Sequence, residues 1–192
     1  GAMNQGFSFA NSNEWILFWG SDDWASSSTS LEELFTIIKE GREFNNEYDL
    51  ICGKGSYINN KTKKITRSTN LINKENLIDS ESFKKYLFIG LTPPHQATLI
   101  GPKAREKVSL YNEKFKLSAD LNYFLELSFF ENIQVRSTTK EIVFMGDEGI
   151  SGKMTYRRIY EVFKAYKSAF RNSWIIPFIY RYARKILLKI RY

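Results

Sequence analysis

The chain has 192 residues, 43% hydrophobic and 16% aromatic, which is enough for one domain with a proper core and too apolar for a disordered chain. Its 28 Lys and Arg against 21 Asp and Glu leave a net charge of +7, which favours an anionic partner without choosing among nucleic acid, phosphorylated ligand and membrane surface. A single cysteine, Cys52, excludes an intramolecular disulfide and a cysteine-based metal site; it reads as a small buried hydrophobe in a reducing cytoplasm.

Gly1 and Ala2 read as a cloning remnant before Met3, and no secretory signal follows. Residues 4–11 look like the tail of a helix, an odd opening that suggests missing preceding elements. Residues 15–19, Trp-Ile-Leu-Phe-Trp, read as a buried strand. It ends in Gly20-Ser21-Asp22-Asp23-Trp24, and a serine-rich loop follows over residues 26–30. The apolar spacing predicts a helix over residues 31–39, stopped by Gly41. Residues 48–58 read as a strand, with Asn59-Asn60-Lys61 as a hairpin turn into residues 64–67. Residues 70–80 read as polar loop, and Ser80 or Ser82 as the cap of a helix running to about Ile89. Pro93-Pro94 punctuates the chain before a strand over residues 95–100. Gly101-Pro102 opens a short helix to about Val108, and Ser118 can cap another to about Phe129 with Leu121, Phe124, Leu125 and Ser128 inward. Two short strands, residues 133–136 and 141–145, flank a polar turn, and a long helix spans about 153–171.

Four pieces could carry chemistry. Asp22 and Asp23 are adjacent carboxylates at the end of a buried strand, where ligands of open α/β sheets bind. A divalent cation bridging to phosphate would relieve their repulsion; an acidic turn capping the next helix is the plainer alternative. Asp120 sits in the first turn of a helix, where the dipole and free N–H groups favour a carboxylate, whether as a functional acid or as a simple cap. His95-Gln96 follows two prolines; as the only histidine, His95 cannot build a zinc site of the usual kind and is as readily structural. Glu148-Gly149-Ile150-Ser151-Gly152 is a glycine-flanked loop, able to approach a ligand closely or merely to connect. There is no P-loop, no GxGxxG and no convincing nucleophile triad.

Taken in this order, the pieces resemble the second part of a family-two glycosyltransferase of the GT-A fold. Residues 4–11 are similar to that family's N-x-G-x-x-x-A helix, and Gly20 to Trp24 to its DxD-type acidic motif. Residues 95–127 resemble its His-Gln strand, helix, G-x-F-D-E-like turn (here Tyr111-Asn112-Glu113-Lys114-Phe115) and Asp-led helix. Residues 148–151 resemble its GGIS loop. The resemblance implies a mixed α/β sheet flanked by helices, truncated at its N-terminal, nucleoside-binding half. It implies that Asp22 and Asp23 hold Mg²⁺ or Mn²⁺ with the donor's ribose or diphosphate, and that Asp120 is the general base of an inverting transfer. Trp24, His95 and Gln96 would line the donor or acceptor site, with Ser151 near the diphosphate. Gly20 departs from the pattern, standing where the family often has its first acid.

Residues 172–192 form a basic tail with five Lys or Arg and no acid. A helix after Pro177 would place Arg181, Arg184, Lys185 and Lys189 on one side and Phe178, Ile179, Ala183, Ile186, Leu187 and Ile190 largely on the other. With Trp174, Tyr180 and Tyr182, this reads as an interfacial helix on an anionic membrane, or as a terminal helix packed on the domain or a second copy. It is too charged to span a bilayer.

The expectation is therefore a glycosyltransferase-like domain over residues 4–171 with a membrane-associating or packing tail over 172–192. It would be cytoplasmic and peripheral to the inner face of the membrane. A nucleoside-diphosphate sugar, first a UDP-sugar, would be the donor, and a lipid-linked or saccharide molecule the acceptor. No nucleic-acid module is present. The competing expectation is a non-catalytic remnant that docks on membrane or dimerises through an exposed sheet edge; a second chain could also complete the site.

Overall fold

The computed structural model describes residues 1–44, 47–146 and 155–190. Helix α1 (Ala2–Phe9) opens the chain, and strand β1 (Asp23–Ala25) and helix α2 (Ser30–Glu43) follow. Then come β2 (Leu50–Ile58), β3 (Ile65–Thr69), β4 (Asn76–Ile78), helix α3 (Ser80–Phe88) and a 3₁₀ turn (His95–Ala97) running into β5 (Thr98–Ile100). Helices α4 (Pro102–Lys107) and α5 (Ala119–Leu127), strand β6 (Val135–Gly146), and helices α6 (Thr155–Phe170) and α7 (Ile175–Ile190) complete the order.

The sheet is built on a parallel pair, β2 beside β6, from Leu50 opposite Val135 to Ile58 opposite Gly146. Every other pairing is antiparallel. Beyond β2, β5 lines its first half and β3 its second; beyond β6, β4 lines its first half and β1 its second. Side chains alternate across the sheet, so Leu50 and Cys52 enter one core and Ile51 the other. The first core joins the sheet to α1, α3, α5 and α6; the second joins it to Leu34 and Ile38 of α2. Cys52 is buried as expected, and burial pushes its thiol up to about 12.

Several elements differ from the sequence expectations, each for a visible reason. Residues 15–19 alternate like a strand, with Ile16 and Phe18 toward the first core and Trp15, Leu17 and Trp19 toward the second. Yet only Ile16 is bridged, to Ile100, because the neighbouring β5 has just three residues. The expected strand over 95–100 begins with a 3₁₀ turn after Pro94, which leaves that short β5. Gly41 does not stop α2; it is buried within a helix that runs to Glu43 and is capped by Phe44. Residues 76–78 are a strand, not loop, with Ile78 in the core and Leu77 outside. Asp79, not Ser80 or Ser82, caps α3, its carboxylate accepting from the Ser82 N–H at 2.7 Å. Ser80 instead accepts from the Ile133 N–H.

The two short strands expected around a polar turn are one strand, β6. Its polar Ser137 and Thr138 are buried, and their hydroxyls donate to the Ile72 carbonyl and the Glu75 carboxylate. The tail helix starts at Ile175, with Pro177 in its first turn, where a missing N–H costs nothing. The start of the long helix near Lys153 lies outside the described residues.

Candidate functional site

The expected acidic motif does not end a strand; it begins one. Asp23 is the first residue of β1, opposite Met145 near the carboxyl end of β6. The Asp22 carbonyl accepts from the Gly146 N–H at 3.1 Å, and the Asp23 carboxylate accepts from the Gly20 N–H at 2.6 Å. A Cβ placed on Gly20 would lie 3.1 Å from Asp22 Oδ1 and 3.2 Å from Asp23 Oδ2. Both carboxylates therefore converge on one small region, and the missing side chain at position 20 makes room for them. Burial raises the Asp23 pKa; the Gly20 N–H works against this, and the charge of Asp22 adds to it. No Lys or Arg among the described residues forms a salt bridge with either acid.

Trp19 ties this loop to the His95–Gln96 turn, its indole N–H donating to the Gln96 carbonyl at 2.8 Å. That turn runs into β5, which pairs with β2, so both acidic loop and turn flank the parallel pair of strands. Trp24 stands opposite Phe144, 42% exposed, with ring centroids 6.1 Å apart. It offers a partly open aromatic face.

His95 sits in an aromatic cage. Its ring stacks on Phe18 at 5.4 Å and 10°, and its Nε2 shares a 2.8 Å hydrogen bond with the Tyr111 hydroxyl. Burial lowers the His95 pKa, and the negative charge of Asp120 partly restores it. Burial also raises the Tyr111 pKa, with Tyr123 and Asp120 adding to the shift, so its hydroxyl stays protonated. Asp120 thus acts electrostatically on both members of the His95–Tyr111 pair. Asn4 of α1 fixes Tyr111 from behind: Asn4 Oδ1 accepts from the Tyr111 N–H at 2.8 Å, and Asn4 Nδ2 donates to its carbonyl at 3.0 Å.

Asp120 lies in the first turn of α5, half-buried. Ser118 occupies the cap position but makes no side-chain capping bond. Glu161 of α6 reaches across instead, accepting from the Leu117 N–H at 2.7 Å and the Ser118 N–H at 3.1 Å. Tyr111, Phe18 and Glu161 are thus parts of the site that the sequence reading did not single out. Phe18 was legible as the inward partner of Ile16; Glu161 carried no signal, because the backbone N–H groups it accepts from, those of Leu117 and Ser118, lie more than forty residues away, just before α5.

Ser151 lies outside the described residues. Among the described residues, no group of three or more His, Cys, Asp or Glu gathers as a metal centre. A cleft of about 610 Å³ lies between α5 and α6, lined by Asn122, Glu126 and Phe129, and none of the candidate residues borders it. The tail residues divide differently from expectation. Trp174 packs inward against Phe163 and Phe178, at ring separations of 4.6 and 5.9 Å. Arg181 turns inward to donate to the Thr92 hydroxyl at 2.5 Å. Arg184 is exposed, and the side chains of Lys185 and Lys189 lie outside the described set.

No family model and no curated protein matches the chain. Solved structures do. One of S. aureus TarS superposes with a TM-score of 0.55 at 12% identity, over 85% of this chain and 26% of that one. TarS 1-349 gives 0.55 at 11% identity, over 85% and 42% of the two chains. TarS 1-349 in complex with UDP gives 0.55 at 14% identity, over 86% and 44%. The fold of this chain is glycosyltransferase-like, a mixed sheet flanked by helices. The chain spans from about a quarter to less than half of the length of these TarS chains.

Proposed function

We propose that this domain is a glycosyltransferase that moves a sugar from a nucleoside-diphosphate donor, first a UDP-sugar, to a lipid-linked or saccharide acceptor at the inner face of a membrane. The observation that carries the reading is the convergence of Asp22 and Asp23 beside Gly20 without a basic partner among the described residues. Two carboxylates in that state fit a divalent oxygen-seeking cation whose remaining ligands come from a diphosphate and water. The likeness to a TarS structure in complex with UDP supports the same donor class.

Asp22 and Asp23 would hold Mg²⁺ or Mn²⁺, which when bound supplies a Lewis acid for the charge of a leaving diphosphate. The protein's own groups do the rest. Asp120 accepts the proton of the acceptor hydroxyl as general base. The His95–Tyr111 pair and Gln96 line the sugar or acceptor, held by Phe18 and Trp19. Trp24 presents an aromatic face for a base or sugar ring. Ser151 is assigned to the diphosphate side by resemblance. Asp120→Asn separates binding from chemistry. With a panel of UDP- and GDP-sugars and Mn²⁺, it should abolish sugar transfer to the acceptor, and with it acceptor-dependent release of the nucleoside diphosphate, while leaving nucleotide affinity within about twofold. Equal loss of both would remove Asp120 from the role of base.

A second reading keeps the fold and drops the chemistry: a non-catalytic domain acting by docking. The outward apolar face of α7 favours it.

A further inference from the structure

Helix α7 is clamped to the body by its inward side. Trp174, Phe178 and Tyr182 pack against the first core. Gly90, at φ +82, lies so close that a Cβ there would be 2.6 Å from Arg181 Cα and 2.8 Å from Arg181 N. The Arg181 side chain is half-buried beside Thr92.

The opposite side carries Ile175, Ile176, Ile179, Tyr180 and Ile186, between 48% and 60% exposed, with Ala183 among them. Their spacing puts them on one stripe of the helix. So many large apolar groups on one face are an interaction surface, not scattered surface hydrophobes. Charge chooses the occupant. Eight Lys and Arg follow Glu161 and no acid does, so this stretch alone carries more positive charge than the net +7 of the whole chain. A second copy would bring like charge against like charge; an anionic bilayer brings the opposite sign and an apolar interior.

We propose that α7, while still held against Gly90 and Thr92, seats the domain on an anionic bilayer through its isoleucine face, with Arg184 at the headgroup level. This rests on the membrane-surface reading above and sharpens it. Arg181 and Trp174 hold the helix to the body, and the isoleucines make the contact with lipid. No described helix is long and apolar enough to cross a membrane, so the helix lies on the surface.

The test is sedimentation of the full chain with vesicles of phosphatidylcholine alone and of phosphatidylcholine mixed with phosphatidylglycerol. The wild-type chain should bind the mixed vesicles and not the neutral ones, more weakly as salt rises. Ile176→Glu/Ile179→Glu, at exposed positions, should keep the same circular-dichroism melt and lose at least about tenfold in vesicle affinity. No binding of the wild-type chain would overturn both this proposal and the membrane reading. Undiminished binding by the double variant would overturn the seat alone and leave membrane association to another surface. A wild-type dimer in solution that the double variant dissolves, without vesicle binding, would make the stripe a face for a second copy.

Discussion

Removing Glu161 is a direct test of how the fold positions Asp120. The side chain is almost wholly buried, and its Oε2 accepts from two backbone N–H groups, those of Leu117 and Ser118, immediately before α5. Arg157, about half exposed, lies 3.2 Å from Oε1. Burial alone would raise the Glu161 pKa; the N–H groups of Leu117 and Lys116, the Arg157 guanidinium and the Ser118 N–H outweigh it and hold the pKa below 4.5. In Glu161→Ala both N–H groups lose their acceptor, at about 1–3 kcal/mol each when left unsatisfied. The Arg157 contact, screened by solvent, adds at most about 0.5 kcal/mol. The expected loss is about 2–6 kcal/mol. Glu161→Gln keeps one oxygen able to serve both N–H groups and loses charge assistance, for about 1 kcal/mol. Because the folded pKa is lowered, this contribution is fully present above pH 4.5 and is lost as pH falls through the folded value. Urea unfolding followed by circular dichroism gives both numbers. A Glu161→Ala midpoint corresponding to less than about 0.5 kcal/mol would refute the capping account.

The only histidine gives one imidazole NMR signal to follow. Asp120→Asn removes the charge that raises the His95 pKa, so the signal should titrate at lower pH than in the wild-type chain; an unchanged titration would separate the two residues. Burial leaves the folded imidazole a weaker base than the unfolded one, so stability should be complete above about pH 6.5 and fall as pH drops below it, in urea melts at stepped pH. Gly90→Ala combines a left-handed backbone, costing about 1–3 kcal/mol, with a collision against backbone atoms of Arg181 that cannot yield. It should release α7, seen as faster tryptic cleavage after Arg184, while the sheet core stays folded.

The sequence made the helices legible where apolar spacing was one-sided, as in α2 with Leu34 and Ile38 inward. It made the alternation of residues 15–19 legible too, but not whether a partner strand existed to pair with them. Strand β6 reads in the sequence as two strands because buried Ser137 and Thr138 look like turn residues until their partners, Ile72 and Glu75, are known. Those partners lie more than sixty residues away. At the site, the Asp22–Asp23 pair, His95 and Asp120 were visible as residue types out of place in apolar surroundings. Their neighbours Tyr111 and Glu161 were not, because hydrogen bonds across the fold leave no local pattern. The tail was legible as amphipathic, but its orientation was not. Arg181 has a long apolar stem and polar partners on the body, the Thr92 and Tyr166 hydroxyls, so it can face inward as readily as outward.

The central claim is a nucleotide donor site built on Asp22 and Asp23. Calorimetric titration of the full chain with UDP and with GDP, each with and without Mn²⁺, tests it most directly. Metal-dependent binding of UDP that disappears in Asp22→Ala/Asp23→Ala, with the thermal melt unchanged, is the predicted result. Absence of binding by either nucleotide, or binding indifferent to both metal and the two acids, would contradict the account.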